Sequence, residues 1–261
     1  MVFIACASIL ASQSPVALVF HPTLGESYRF KIEQNINHGQ KQSWTKTDTQ
    51  LDVNQLGNGL FDINLTSFGA GGGNSDNKPT LRDQLSTKTK STVRMRCDQN
   101  GFLYGAVDSK NAQGIFSWSS LSARLPQIQY PKNNLNLGDT WSQITPLGSP
   151  KESNLITSGQ LKVTYRLDSV RDGIAKVSSV FKGSYGVTIK LPTKGKQGEA
   201  AGIAGTSKQT SVDGTGIVDI ELETGIPIRY SSKATYESKT RSSTVANPNE
   251  VDVQTLTIKR I

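Results

Sequence analysis

Leu24-Gly25-Glu26-Ser27-Tyr28-Arg29-Phe30 and Leu137-Gly138-Asp139-Thr140-Trp141-Ser142 are two versions of one short pattern. In each, a glycine is followed by an acid, a small hydroxyl residue and a large aromatic. Glycine reaches the positive backbone angle that a tight turn requires, and an aromatic suits a half-buried strand. Both stretches therefore read as chain leaving a turn and entering a β-strand. Past the first copy, Tyr28, Phe30 and Ile32 alternate with Arg29, Lys31 and Glu33, which is the period-2 signature of a strand with one dry and one wet face.

Working outward, each copy is followed at nearly the same interval by a hairpin signal, Gly57-Asn58-Gly59 and Arg171-Asp172-Gly173. Taken as three-residue loops with the last glycine left-handed, they set Val53 opposite Ile63, Leu51 opposite Leu65, and Asp52 opposite Asn64. In the second hairpin Leu167 faces Val177, Val163 faces Phe181 and Asp168 faces Lys176. A third element recurs as Asp98-Gln99-Asn100-Gly101-Phe102 and Leu222-Glu223-Thr224-Gly225-Ile226. The latter pairs Leu222 with Ile226, Ile220 with Ile228, and Asp219 with Arg229.

These repeats predict a mainly β, antiparallel protein of two related curved sheets, half-barrels or a sandwich, with one short linking helix. The modules are residues 15–109 and 137–261. Residues 110–136 are the helical linker, because Ile115, Phe116, Leu121 and Leu125 lack strand alternation before Pro126. Residues 16–20 read as a first short strand, and the Gly-, Ser- and Lys-rich inserts 69–85 and 191–208 as exposed hairpin tips. The chain closes with strands over residues 233–241 and 251–261.

Composition agrees with an all-β chain. Of 261 residues, 35% are apolar and 7% aromatic, which favours many short strands joined by polar turns over helical bundles. The net charge of +8 is spread one or two residues at a time, and residues 88–96 alternate basic with hydroxyl and apolar side chains. That pattern fits a solvated face better than a nucleic-acid groove. Residues 1–14, MVFIACASILASQS, have the apolar core and small-residue ending of a signal peptide without its basic start, and are too short to span a bilayer. The expected location is therefore exported, periplasmic or secreted. Cys6 lacks the context of a lipidation site. Once such a leader is removed Cys97 is the remaining cysteine, and stability must come from burial.

The chemistry-bearing residues give thin signals. Gly69-Ala70-Gly71-Gly72-Gly73 and the glycines of residues 195–205 have no Gly-Lys-Ser or Gly-Lys-Thr partner and open no helix, so a phosphate cradle is not expected. Asp219, Glu221 and Glu223 share one strand face, with Arg229 and Lys233 as natural cross-strand partners. Cys97 alternates with Val93 and Met95 as a small buried hydrophobe, and nucleophilic work would need His21 or His38 beside it. Asn64-Leu65-Thr66 is a formal glycosylation sequon lying in a strand. Trp44, Trp118 and Trp141 fit core positions. The expected catalytic, cofactor and metal sets are empty, the ligand site is unknown, and the protein is expected not to be an enzyme.

Residues 16–20 with Gly25-Glu26-Ser27-Tyr28-Arg29-Phe30, the passage from Pro131 to Gly138-Asp139-Thr140-Trp141, and the closing 216–225 hairpin resemble a group of exported bacterial β-rich proteins with no assigned activity. The resemblance implies an envelope or secreted location and a β-rich fold, and it transfers no site residues. A more distant similarity, by topology alone, is to the curved open sheets of periplasmic lipoprotein carriers. Two functions follow as expectations: an apolar ligand or lipid held on a concave sheet, or a surface module binding polyanions or protein partners through a basic face.

Overall fold

The computed structural model describes residues 14–74, 91–101, 103–106, 128–148, 155–192, 203–241 and 249–261. Eleven strands run through them: β1 (Ser27–His38), β2 (Lys41–Gly57), β3 (Leu60–Asn74), β4 (Ser91–Asp98), β5 (Leu103–Ala106), β6 (Thr140–Gly148), β7 (Leu155–Arg171), β8 (Ile174–Pro192), β9 (Ile203–Glu221), β10 (Pro227–Arg241) and β11 (Glu250–Arg260). They form one antiparallel sheet in the order β5-β4-β3-β2-β1-β11-β10-β9-β8-β7-β6.

The expectation of two related sheets is thereby corrected to a single sheet. The last strand, β11, inserts between β1 and β10, with Ile32 facing Ile258 on one side and Tyr230 facing Ile258 on the other. Two smaller sheets would each leave an unpaired edge here, and β11 satisfies both. The expected helix over residues 112–125 lies outside the described residues, as do Trp118, Cys6 and residues 1–13. The glycine run 69–73 is no hairpin tip, because β3 continues through it to Asn74.

Asn58 and Gly59 have φ of 52° and 71°, and Asp172 and Gly173 have 50° and 74°. Two consecutive positive angles make a two-residue hairpin turn, which Asn-Gly and Asp-Gly favour. The three-residue loops read from sequence are corrected accordingly. In β2 and β3 a register shift follows the turn, so Val53 still faces Ile63 and Leu51 still faces Leu65. In β7 and β8 the shift lies between Leu167 and Ser169. Leu167 therefore meets Val177 as expected, while Lys176 faces Ser169 instead of Asp168. Asp168 accepts hydrogen bonds from Arg166 and Ser178 instead. At the β9–β10 turn Ile220 faces Pro227, not Ile228, and a further shift restores Asp219 opposite Arg229. Leu222 does not pair with Ile226, whose carbonyl accepts from the Glu221 amide.

The sheet curls around two extended segments, residues 16–21 and 128–135, bridged at Val16 and Leu135. Residues 16–20 thus form an isolated bridge and not the expected strand. The Phe20 amide donates to Gln99 in the β4–β5 turn, and the next amide, His21, donates to Thr224 in the β9–β10 turn. Tyr130 joins the same two turns, through its amide to Asn100 and its hydroxyl to Gly225 at 2.5 Å. The indole of Trp141, on edge strand β6, donates to the Gln129 carbonyl at 2.9 Å. Turns on opposite halves of the sheet can share one short segment only if the sheet bends back on itself. Two glycines allow the approach: a Cβ on Gly225 would lie 2.0 Å from the Val19 carbonyl, and one on Gly101 would lie 2.4 Å from that of Ile128. Leu18, Phe20, Ile128, Tyr130 and Leu135 are all buried with Phe30, Phe61, Leu167 and Ile220 in one core. This end of the curled sheet is sealed by the chain's own side chains.

Candidate functional site

Away from the sealed end, the same inner face changes character along each strand. On β10 the inward series runs from buried Ala234 and Tyr236 to Ser238 and Thr240. On β11 it runs from Ile258 and Leu256 to Gln254 and Asp252, and on β1 from Phe30 and Ile32 through Gln34 and Ile36 to His38. Strand alternation keeps all of these on one face, so the apolar-to-polar change occurs within a continuous concave surface.

A cavity of about 300 Å³ opens where the change occurs. Tyr185 and Val187 of β8, Lys208 and Thr210 of β9, Tyr236, Ser238 and Thr240 of β10, and Asp252 and Gln254 of β11 line it. Its size is at the lower limit for small-molecule sites. Tyr236 forms the inner, apolar end. Next come Thr210 and Ser238, both buried, whose hydroxyls bond each other at 3.0 Å. Outermost stands a charged rim. Lys208 donates to Glu250 at 2.9 Å and His38 pairs with Asp252, while the Gln34 amide donates to Gln254 at 3.3 Å. The hydrogen-bonded Lys208 ammonium holds the Glu250 carboxyl below the usual carboxylate range. The arrangement suits a molecule with an apolar body and a polar end turned outward, and Lys208, Thr210, Ser238, Asp252 and Gln254 already hold hydrogen-bond partners.

The residues weighed from sequence fall elsewhere. Cys97 is buried and desolvation pushes its thiol up to about 12, which leaves it protonated and unreactive. His21 is exposed at the sealed end and His38 sits at the cavity rim. Among the described residues neither imidazole hydrogen-bonds a hydroxyl or a thiol, because His38 pairs with Asp252. Asp219 faces Arg229 and Lys176 in register. Glu221 is clamped by both terminal nitrogens of Arg260, at 2.9 and 2.6 Å, and not by Arg229 or Lys233 as expected. That pairing, against a smaller opposing effect of burial, holds its carboxyl down at about 2. Arg94 and Arg96 both engage Asp62, which is buried beneath them, so these two cations of the basic stretch are tied to a structural acid. Trp141 is half-buried and stacks on Tyr165, with ring centroids 5.2 Å apart. Trp44 is no core residue; it lies 37% exposed across Gly73. Among the described residues no group of three potential metal ligands converges. No described helix is long and apolar enough to cross a membrane, which says nothing of strands.

Sequence reasoning did not find Tyr185, Thr210, Tyr236 or Ser238 as a group. Their one available signal was parity: each falls on the inward side once its strand is in register, yet three strands must be aligned before they meet.

No protein-family model matches the sequence, and no curated protein matches it. Among solved structures the chain is similar to porins. Salmonella typhi OmpF in complex with daunomycin is 7% identical with a TM-score of 0.30, over 90% of this chain and 97% of that one. Pseudomonas aeruginosa OccK5 is 7% identical with a TM-score of 0.29, over 92% and 99%. OccK2 of the same organism, in complex with glucuronate, is 8% identical with a TM-score of 0.25, over 92% and 99%. Likenesses this low bear no further inference.

Proposed function

We propose that this is a noncatalytic binding protein of the cell envelope or secreted space, and that its ligand is a small lipid-like or other amphipathic molecule held in the cavity between β8 and β11. The observation that carries the proposal is the incomplete filling of the curled sheet. One end is packed by residues 16–21 and 128–135, so no long acyl chain has room there, whereas the other keeps an open, amphipathic cavity on the concave face. The polar gradient from Tyr236 through Thr210 and Ser238 to Lys208 and Asp252 would orient the apolar part inward. The envelope or secreted location rests on the signal-like residues 1–14.

The test is fluorescence titration with 1-N-phenylnaphthylamine, an apolar probe that brightens when desolvated. The wild-type chain is expected to show saturable enhancement, and Thr240→Trp, which fills the cavity from its rim, to abolish it with an unchanged far-UV spectrum. Equal enhancement in the two proteins, or none in the wild type, rejects the proposal.

A further inference from the structure

The convex face carries charge that cross-strand pairing leaves unneutralised. Lys31 on β1 faces Lys259 on β11, and Lys259 faces Arg229 on β10. Three cations therefore stand abreast on neighbouring strands, about 5 Å apart at their backbones. Arg29 lies two residues along β1, and Lys233 four residues along β10, on the same face. All five are exposed, and none makes an ion pair within 4.0 Å among the described residues. Asp48 and Asp219 stand next in register at the two ends of the row, and neither closes onto its neighbour. Elsewhere the same chain does neutralise such groups: Lys46 with Glu33 at 3.0 Å, Lys182 with Asp213 at 3.1 Å, and Arg166 with Asp168 at 2.7 Å. Like charges placed directly opposite cost stability, so this cluster adds nothing to the folding of the sheet.

Exposed aliphatic side chains are interleaved with it. Ile217, 44% exposed, faces Ser231, which lies between Arg229 and Lys233. Val180, 46% exposed, is two residues from Ser178, the residue facing Ile217 on its other side. Ile261, 63% exposed, donates its amide to the Arg29 carbonyl at 2.9 Å.

We propose that this face docks on an anionic phospholipid surface. A soluble polyanion would reward the cations alone and leave the aliphatic side chains among them without a partner. A bilayer offers phosphates to Arg29, Lys31, Lys259, Arg229 and Lys233, and an acyl boundary to Ile217, Val180 and Ile261. The surface is separate from the concave cavity, so it stands whether or not the cavity binds a ligand.

Co-sedimentation of the full chain with phosphatidylglycerol–phosphatidylcholine vesicles tests it, with pure phosphatidylcholine vesicles and a heparin column alongside. The wild type is expected to bind the anionic vesicles and to be released by salt. The triple variant Lys31→Gln/Arg229→Gln/Lys259→Gln should partition roughly a hundredfold more weakly, at about fivefold per cation. Should the triple variant misfold, the single Lys259→Gln should show the fivefold step. Ile217→Ser/Val180→Ser should weaken vesicle binding severalfold and leave heparin retention unchanged. The proposal is overturned if anionic vesicles bind no better than neutral ones or if the cation variants bind as the wild type does. Vesicle binding indifferent to the aliphatic substitutions would likewise overturn it and assign the cations to a soluble polyanion.

Discussion

The sealed end and the cavity end of the sheet are built from the same strands with the same alternation, yet only one of them is a core. On β1 the inward side chains are Tyr28, Phe30 and Ile32 near the tight turns, all buried, and then Gln34, Ile36 and His38, partly or wholly exposed. Nothing in the hydrogen-bonded ladder changes between Ile32, which faces Ile258, and His38, which faces Asp252. What changes is the covering: residues 16–21 and 128–135 lie over the first half. Even the acid clamps differ. At the sealed end Glu221 is gripped bidentately by Arg260, whose guanidinium also lies 5.9 Å from the ring centre of Tyr28, whereas at the cavity end Glu250 has a single bond from Lys208. A sheet face is therefore dry because something packs on it, and alternation merely permits that.

The largest expected effect tests this directly. Phe30→Ala should destabilise the protein by about 3–5 kcal/mol through the cavity it leaves, while Gln34→Ala, four residues on along the same face, should stay within about 0.5 kcal/mol. Urea unfolding of the two variants measures the difference, and equal losses would erase the distinction between the ends.

A smaller effect separates the two clamps. Glu221 titrates at about 2 in the folded chain against an ordinary 4.5, chiefly because Arg260 hydrogen-bonds its charged form. A depressed carboxylate contributes stability that is complete above the unfolded value and is lost as the pH falls through the folded one. Stability should therefore decline on acidification from about 4.5 toward 2, and Glu221→Gln should flatten that decline. Glu250→Gln, at the more exposed clamp, should alter the same pH series less, since solvent screens the pair. Denaturation midpoints recorded across that range decide the order.

The smallest effect has the opposite sign. Thr49 is buried on the inner face of β2 opposite Phe30, and its hydroxyl has no hydrogen-bond partner among the described residues. Thr49→Val removes that orphaned group in nearly the same shape, and should be neutral or stabilising by up to about 1 kcal/mol. A loss of 1 kcal/mol or more in thermal or urea unfolding would mean that the hydroxyl is satisfied in solution and that the sealed half reaches less far along β2.

Much of the sheet was legible. The parity of β1, the pairs Val53–Ile63 and Leu167–Val177, and the opposition of Asp219 and Arg229 all follow from alternation counted outward from glycine turns. The local details of those turns were not, because Asn58-Gly59 and Asp172-Gly173 form two-residue turns whose offset a later bulge restores. Distant pairings come out the same under either reading, so they could not reveal the error. The cavity was illegible for a different reason. Tyr185, Thr210, Ser238 and Gln254 look like ordinary alternating residues on four separate strands, and no short motif joins them. Glu221 also escaped, since its true partner Arg260 comes from β11, two strands away in the sheet and far along the chain.

The sequence by itself determined that this chain makes antiparallel strands, where most of them turn, and which side chains share a face, because glycine conformational freedom and the two-residue period act locally. Tertiary structure alone decided that the strands join into one sheet and that the sheet bends around residues 16–21 and 128–135. It also decided which half of the concave face is left unfilled. Those outcomes depend on which edge finds a partner and which surface finds a cover, and both are settled by contacts between residues far apart in the chain.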